Sequence, residues 1–335
     1  MQVYGIDLSK EKFDVNFIDA NGKEESLKVK NSLASISRFL SSVSEDGFLC
    51  AEHTGAYGDL LVYLCNQMNI SIALIPGYTI KHSLGLVKGK SDPLDSKRIR
   101  EYGERFTDKL EYTEYPEENI VELKQLYTLR YQLVRQRKSL RTIDKGRGVL
   151  PMQSIEVYNH LNNVMVKLDE EIAAIEDEIE ALIMSDQEMR ESYELATGVI
   201  GIGPVIATNL IIKTGNFKTI DTCRRAASYA GVCPFPKTSG KMVGKSKISP
   251  FADKELKTLL YMGAKAAVKH NKEFKLYFQK KELEGKPYFL IMNNVSNKLL
   301  RTVYSVVKNK TPYEKDHICL DPRERNTNSS TKKVA

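Results

Sequence analysis

Cysteine is scarce in this chain of 335 residues: Cys50, Cys65, Cys223, Cys233 and Cys319 are odd in number and never spaced as Cys-x-x-Cys. That spacing argues against a disulfide framework and against a structural zinc. Histidine is equally sparse, with five residues and no ligand-like cluster. No apolar run approaches the roughly 20 residues that span a bilayer, and the N-terminus lacks the basic-then-apolar pattern of a signal peptide. The expectation is a cytoplasmic protein of a bacterium with no membrane partner. The chain also exceeds the size at which a single core stops growing, so two domains and a connector are expected.

What the chain does hold is charge, unevenly spread. The net +7 is close to neutral over residues 1–110, with 14 basic and 15 acidic side chains, and acidic over 111–190, with 10 and 16. Residues 191–310 carry 21 basic against 8 acidic groups. A solvated lysine-rich face is the ordinary reading of such an excess, but its one-sidedness favours a polyanion, and so nucleic acid, as partner of the C-terminal region.

The first 110 residues alternate in period and type. Val3 to Leu8 reads as a strand, and Phe13, Val15 and Phe17 alternate as a second should. Asn21-Gly22 is a strong hairpin signal leading into Leu27 and Val29 on a third strand. A helix with Leu33, Ile36, Phe39, Leu40 and Val43 follows Ser32, then a buried strand over 48–52, an apolar helix over 60–68, and a last strand over 71–75 stopped by Pro76-Gly77. The order βββαβαβ, closed by a helix, is that of ribonuclease-H-like folds.

That order gathers four acids. In such a fold the first and fourth strands are neighbours, which would put Asp7 and Glu52 one strand spacing apart, roughly 5 Å. Asp92 and Asp95, three apart at a helix start, would share a face pointing back to the strand ends. Asp92 before Pro93 is also a good N-cap and Asp95 suits the positive helix end, so capping alone would explain that pair. Carboxylates at the ends of buried strands are another matter, because they must be paired or hold a cation. An all-oxygen set without His or Cys points to Mg²⁺, with Mn²⁺ as the other candidate, rather than zinc. Two such ions roughly 4 Å apart would serve phosphoryl transfer at a phosphodiester.

Beyond residue 110 the pattern turns helical. Leu123, Leu126, Leu129 and Leu133 mark one apolar stripe, and Leu161, Val164, Leu168, Ile172, Ile175, Ile179 and Leu182 a near-heptad second. Arg147-Gly148 and Pro151 break the segment between them. The pattern predicts an antiparallel hairpin or coiled coil over 111–190, serving as a dimerisation arm or closing only on itself. In Thr197 to Ala207, Gly201, Gly203 and Pro204 have the form of a helix-hairpin-helix turn whose free amides could hold a phosphate, or of an ordinary glycine-rich turn. Ala230 to Pro236 then opens a basic loop with Lys237, Lys241, Lys245 and Lys247 around Ser239-Gly240. An exposed serine among lysines could act as a nucleophile, although Ser-Gly is a common turn pair. Residues 311–335 read as a disordered tail.

These motifs together resemble the transposases of the IS110 insertion-sequence family, whose relatives include the Piv DNA invertase. The resemblance rests on Gly5-Ile6-Asp7-Leu8-Ser9-Lys10, Ala51-Glu52-His53-Thr54-Gly55, Lys90 to Ser96, Ile200-Gly201-Ile202-Gly203-Pro204, Ala230-Gly231 followed by Pro234, and Ser239-Gly240. It implies an α/β plus α chain: an RNase H-like, RuvC-like domain over 1–110, a long helical coiled-coil arm over 111–190, and a mainly helical transposase domain over 191–310. It further implies a DEDD metal site at Asp7, Glu52, Asp92 and Asp95, and a covalent phosphoserine link to DNA through Ser239. The partners it implies are donor and target DNA, a structured bridge RNA, and further copies of the chain as a tetramer, a dimer of dimers with composite active sites. A Piv-like invertase without guide RNA, or a RuvC-like junction nuclease using water, are the alternatives. Serine needs activation, and no histidine lies near Ser239, so the acidic site would have to supply it.

Overall fold

The computed structural model describes residues 2–83, 92–147, 154–239 and 242–315. The chain divides into two compact units, Met1–Pro116 and Glu117–Ala335.

The first unit is built on five strands, β1 (Val3–Leu8), β2 (Lys12–Ile18), β3 (Glu24–Lys30), β4 (Phe48–Glu52) and β5 (Ser71–Ile75). Their order in the sheet is β3-β2-β1-β4-β5, with β1, β2 and β3 antiparallel and β4 and β5 parallel to β1. Gly22 turns the β2–β3 hairpin with φ 80°, while Asp19 accepts from the amides of Asn21 and Lys23. Helices α1 (Leu33–Leu40), α2 (Asp59–Gln67), α3 (Gly77–Ser83) and α4 (Asp92–Arg105) complete the unit. Pro76-Gly77 does end β5, and the short α3 that starts at Gly77 was not anticipated.

Two cores flank this sheet. On one face Ile6, Leu8, Phe13, Val15 and Leu49 meet Ile36, Phe39 and Leu61 of α1 and α2. On the other, Val3, Phe48, Cys50, Ala73 and Ile75 meet Ile99 and Tyr102 of α4. β2 therefore buries its polar positions too: Asp14 is 6% and Asn16 1% exposed. Asn16 is satisfied there, accepting from Arg100 Nε at 2.7 Å and donating to Glu24 and Ser26 at 3.0 Å. Gly5 lets α4 lie directly on β1, since a Cβ there would overlap the Ser96 carbonyl and the Arg100 amide.

The second unit opens with α5 (Glu118–Arg147) and α6 (Ile155–Ser185). Bonds from Asn119 to Asp186, Arg130 to Glu176 and Arg137 to Asp169 fall as one index rises and the other drops, so the two helices run antiparallel side by side. Burial is confined to the base of this hairpin, where Ile120, Leu123 and Tyr127 meet Ile175, Ile179 and Ile183. Leu129 is exposed on the outer side of α5, and farther along the hairpin Ile143, Ile155 and Val164 are exposed.

The base shares one core with α7 (Gln187–Thr197), α8 (Pro204–Thr214), α9 (Cys223–Tyr229), α10 (Lys254–His270), α11 (Lys272–Leu283) and α12 (Tyr288–Asn309). Between α9 and α10 stands a hairpin, β6 (Phe235–Ser239) and β7 (Met242–Lys247), where the sequence suggested an open loop. Glycine and lysine mask the strand signal, and two-stranded pairing needs little apolar alternation. Among the described residues no helix is long and apolar enough to cross a membrane.

Candidate active site

Asp7 is the second-to-last residue of β1 and Glu52 the last of β4. The two strands pair in parallel with Gly5 beside Cys50 and Ile6 beside Ala51, so the next step along brings Asp7 beside Glu52, about 4.8 Å apart in backbone. Both lie on the face of Gly5 and Cys50, because side chains alternate along a strand.

That face is covered by α4. Ser96 and Arg100 pass over Gly5, and the third contact, Gly103, passes over Val3 and Cys50. The helix thus runs opposite to β1, its last turns over Val3 and its first toward the strand ends. Asp92 is the first residue of α4 and stands four before the fully buried Ser96; Asp95 stands four before Ile99. Helical spacing aligns each acid with a sheet-facing position one turn on. The turn bearing both acids and the strand ends bearing Asp7 and Glu52 therefore meet on one side of the sheet.

The side chains are not all free to converge. Arg98 Nη1 holds the Asp95 carboxylate at 2.7 Å, with both side chains about four-fifths buried. For Asp92 the structure describes the backbone alone. Among the described residues no three His, Cys, Asp or Glu side chains stand close enough together to hold a metal ion. The donor chemistry nonetheless suits a hard divalent cation, being carboxylate throughout.

Two residues escaped the sequence reading. Asp14 pairs directly with Asp7 across the β1–β2 ladder, on the same face, with Lys28 Nζ at 3.9 Å. Opposed like charges are unfavourable, which makes a cation there more welcome. Counting residues back around the β1–β2 turn would have found it, but Asp14 alternates with Phe13 and Val15 and passes for a solvent-facing position. The other is Gly77: the space a Cβ would need there is filled by the carboxylate of Glu52. No local signal reveals that, since it follows from β5 ending beside β4, with Ile75 paired to Glu52. His53, one residue past β4, is exposed, and its amide donates to the Ile75 carbonyl.

In the second unit Ser239 ends β6, paired with Met242 across the turn. Lys237 lies in β6 and Lys245 and Lys247 in β7; for these and Ser239 the structure describes the backbone, while Lys241 lies outside the described residues. Gly201 and Gly203 occupy the turn from α7 to α8. A Cβ on Gly201, at φ 103°, would stand 2.6 Å from the Gly263 carbonyl, so this glycine seats the turn against α10. Gly203 faces open space at the start of α8.

An acidic face at parallel strand ends and a separate basic helical unit suit an enzyme that processes DNA. Residues 4–151 match the model of the DEDD transposases of the IS110 type, and residues 193–279 match the transposase IS116/IS110/IS902 family. Together the two models take in well over half of the chain, which belongs to this family: it is a DNA transposase/recombinase, and DNA is its partner. A DEDD domain points to divalent-metal use. The pilin gene-inverting protein of Moraxella lacunata is 25% identical over 320 residues, 93% of this chain and 97% of that protein. The insertion element IS110 protein of Streptomyces coelicolor is 22% identical over 183 residues, 53% of this chain and 45% of that protein. The insertion element IS116 protein of Streptomyces clavuligerus is 24% identical over 132 residues, 38% and 33% of the two chains.

Proposed function

We propose that this chain is a bridge-RNA-guided transposase that cuts and rejoins DNA through a phosphoserine intermediate at Ser239, with Mg²⁺ held by Asp7, Glu52, Asp92 and Asp95. The observation that carries this reading is the approach of the first turn of α4 to the adjoining ends of β1 and β4. The strand order β3-β2-β1-β4-β5 supports reading residues 1–110 as an RNase H-like, RuvC-like domain. Bound there, Mg²⁺ would supply charge stabilisation at a phosphodiester.

The residues of the chain would then divide the work. Asp7 and Glu52 orient the site, Asp14 adds negative charge beneath it, and Asp95 joins on leaving Arg98. Ser239 Oγ forms the new bond to phosphorus as the sugar oxygen departs, the serine proton passing to a neighbouring base and the leaving oxygen taking one up. Lys237, Lys241, Lys245 and Lys247 hold the strand's phosphates near the serine. The exposed apolar residues of the outer hairpin over 111–190 support its use as a dimerisation arm, in a dimer of dimers. We place the working enzyme in the bacterial cytoplasm and read residues 311–335 as a tail.

The test incubates the protein with Mg²⁺, the transcript of its flanking DNA and labelled donor DNA, and reads a denaturing gel. A protein–DNA adduct lost in Ser239→Ala and in Asp7→Ala is expected. Cleavage without an adduct, persisting in Ser239→Ala, would overturn the serine mechanism in favour of a water-using nuclease.

A second reading, DNA inversion, is favoured by the length of the match to the Moraxella protein. It predicts recombination between inverted sites with the transcript omitted.

A further inference from the structure

Four aromatic rings gather on the C-terminal helices: Tyr261 of α10, Phe278 of α11, and Tyr288 and Phe289 opening α12. Tyr261 and Phe289 lie nearly parallel, 24° apart with centroids at 6.5 Å; Phe289 meets Tyr288 at 5.6 Å, and Tyr288 meets Phe278 at 5.8 Å. Tyr261 and Phe278 are half-buried against the core, and the two rings that open α12 stand out from it. Phe289 is 75% and Tyr288 46% exposed, beside exposed Leu290. Lys265 Nζ stands 4.9 Å from the Tyr261 ring, and exposed Lys286 is two residues before Tyr288.

We propose that this cluster is a stacking platform for the unpaired bases of single-stranded DNA. Contiguous exposed aromatic surface on a soluble unit calls for an occupant. Lysines among aromatic rings suit a ligand with alternating phosphates and flat apolar faces. A second copy of the same face suits it less, since it would set lysine against lysine in a region with 21 basic and 8 acidic side chains. Duplex DNA already stacks its bases on one another and offers only edges and phosphates, whereas strand exchange by a DNA recombinase exposes bases transiently. The platform rests on reading the chain as a DNA enzyme, but neither on the acidic site nor on Ser239.

The chain has no tryptophan, so Phe289→Trp places a single reporter on the platform. Its fluorescence should be quenched on adding a 20-nucleotide oligo(dT), with affinity within about twofold of the parent. Phe289→Ala and Tyr288→Ala should each weaken oligo(dT) binding about tenfold or more, as loss of one stacking ring does, while binding of a blunt duplex of equal length holds within about twofold. An abasic strand of the same length should bind the parent no better than oligo(dT) binds Phe289→Ala. The proposal is overturned if Phe289→Ala binds oligo(dT) as the parent does, or if the tryptophan variant binds without quenching. It is equally overturned if the alanine variants change only the sedimentation of the protein, which would assign the face to self-association, or if oligo(rU) binds more than tenfold tighter than oligo(dT), which would assign it to RNA. Quenching of the tryptophan variant by oligo(dT), together with no covalent adduct in the parent, would leave the platform standing and remove the serine mechanism alone.

Discussion

The carboxylate of Glu52 occupies the space that a side chain at position 77 would need. Gly77 begins α3 just beyond β5, and the pairing of Glu52 with Ile75 brings the two together. Glycine there leaves room for Glu52 as it stands and is not called for by the backbone, which does not adopt the left-handed conformation at this residue.

Gly77→Ala should therefore turn the flexible carboxylate end of Glu52 aside, destabilising the first unit by about 0.5–1.5 kcal/mol, the scale of one side chain forced off its rotamer, and lowering metal-dependent DNA cleavage. In a Glu52→Ala background the same change should cost much less, because its clashing partner is gone. Thermal unfolding of the four proteins measures the coupling. Equal costs in both backgrounds would rule out the steric relationship.

Arg98 competes for Asp95. If the carboxylate must turn toward Asp7 and Glu52 to complete a metal site, Arg98→Gln should tighten Mn²⁺ binding up to about fivefold, the scale of an ion pair worth up to about 1 kcal/mol. Manganese paramagnetic resonance reads the free ion directly. Weaker binding in the variant would mean instead that Arg98 holds Asp95 in its working position.

Gly201 and Gly263 touch backbone to backbone, each standing where the other's Cβ would go. Gly263→Ala should push the α7–α8 turn away from α10 at a cost of about 1–3 kcal/mol, visible as a drop of roughly 2–10 °C in midpoint for a unit of this size. A variant melting as the parent does would show that the turn can shift without loss. Oligonucleotide binding measured alongside reports whether the displaced turn also contacts DNA.

Asp253 caps α10 and should shape the acid limb of stability. Burial pushes its carboxyl up, but the Leu256 amide at 2.8 Å, Lys213 at 2.9 Å and the Tyr229 hydroxyl at 3.2 Å outweigh that and hold it below the usual carboxylate range. With the folded value depressed, the unfolded chain binds more protons in acid, so this contribution is full above about pH 4 and is lost as pH falls through the folded value. Asp253→Asn should lower stability at pH 7 by about 1 kcal/mol and flatten the decline below pH 4. Parallel melting curves for parent and variant between pH 2 and 7 would contradict it. At the other extreme, burial and then the Asp253 charge push the Tyr229 phenol up to about 12, so ionising it opposes folding in strong alkali.

Much of the first unit was legible without tertiary information. The strands over 3–8, 48–52 and 71–75 follow from short, mostly apolar runs, and the β2–β3 hairpin from Asn21-Gly22, because these signals are local and short-range sterics enforce them. Asp7 and Glu52 could be paired on paper once the strand order was assumed, since neighbouring strands bring their ends within one spacing. The long helices α5 and α6 were likewise written in their apolar stripes.

What the sequence could not decide was everything that depends on which surfaces meet. Asp14 alternates like a solvent-facing residue and is buried because α4 lies over β2. Gly77 reads only as part of the stop after β5, and its closeness to the Glu52 carboxylate is set by the pairing of β4 with β5. Asp95 reads as a free carboxylate at a helix start, yet Arg98 one turn on takes it. Ser239, expected in a loop, ends a strand of a two-stranded ribbon. Phe289 and Tyr288 fit a helical pattern equally well inside or outside a core; only the packing of α10, α11 and α12 left them in solvent. Local sterics and periodicity fix elements, but burial and close approach are properties of pairs of elements far apart in the chain, and no window of sequence contains both partners.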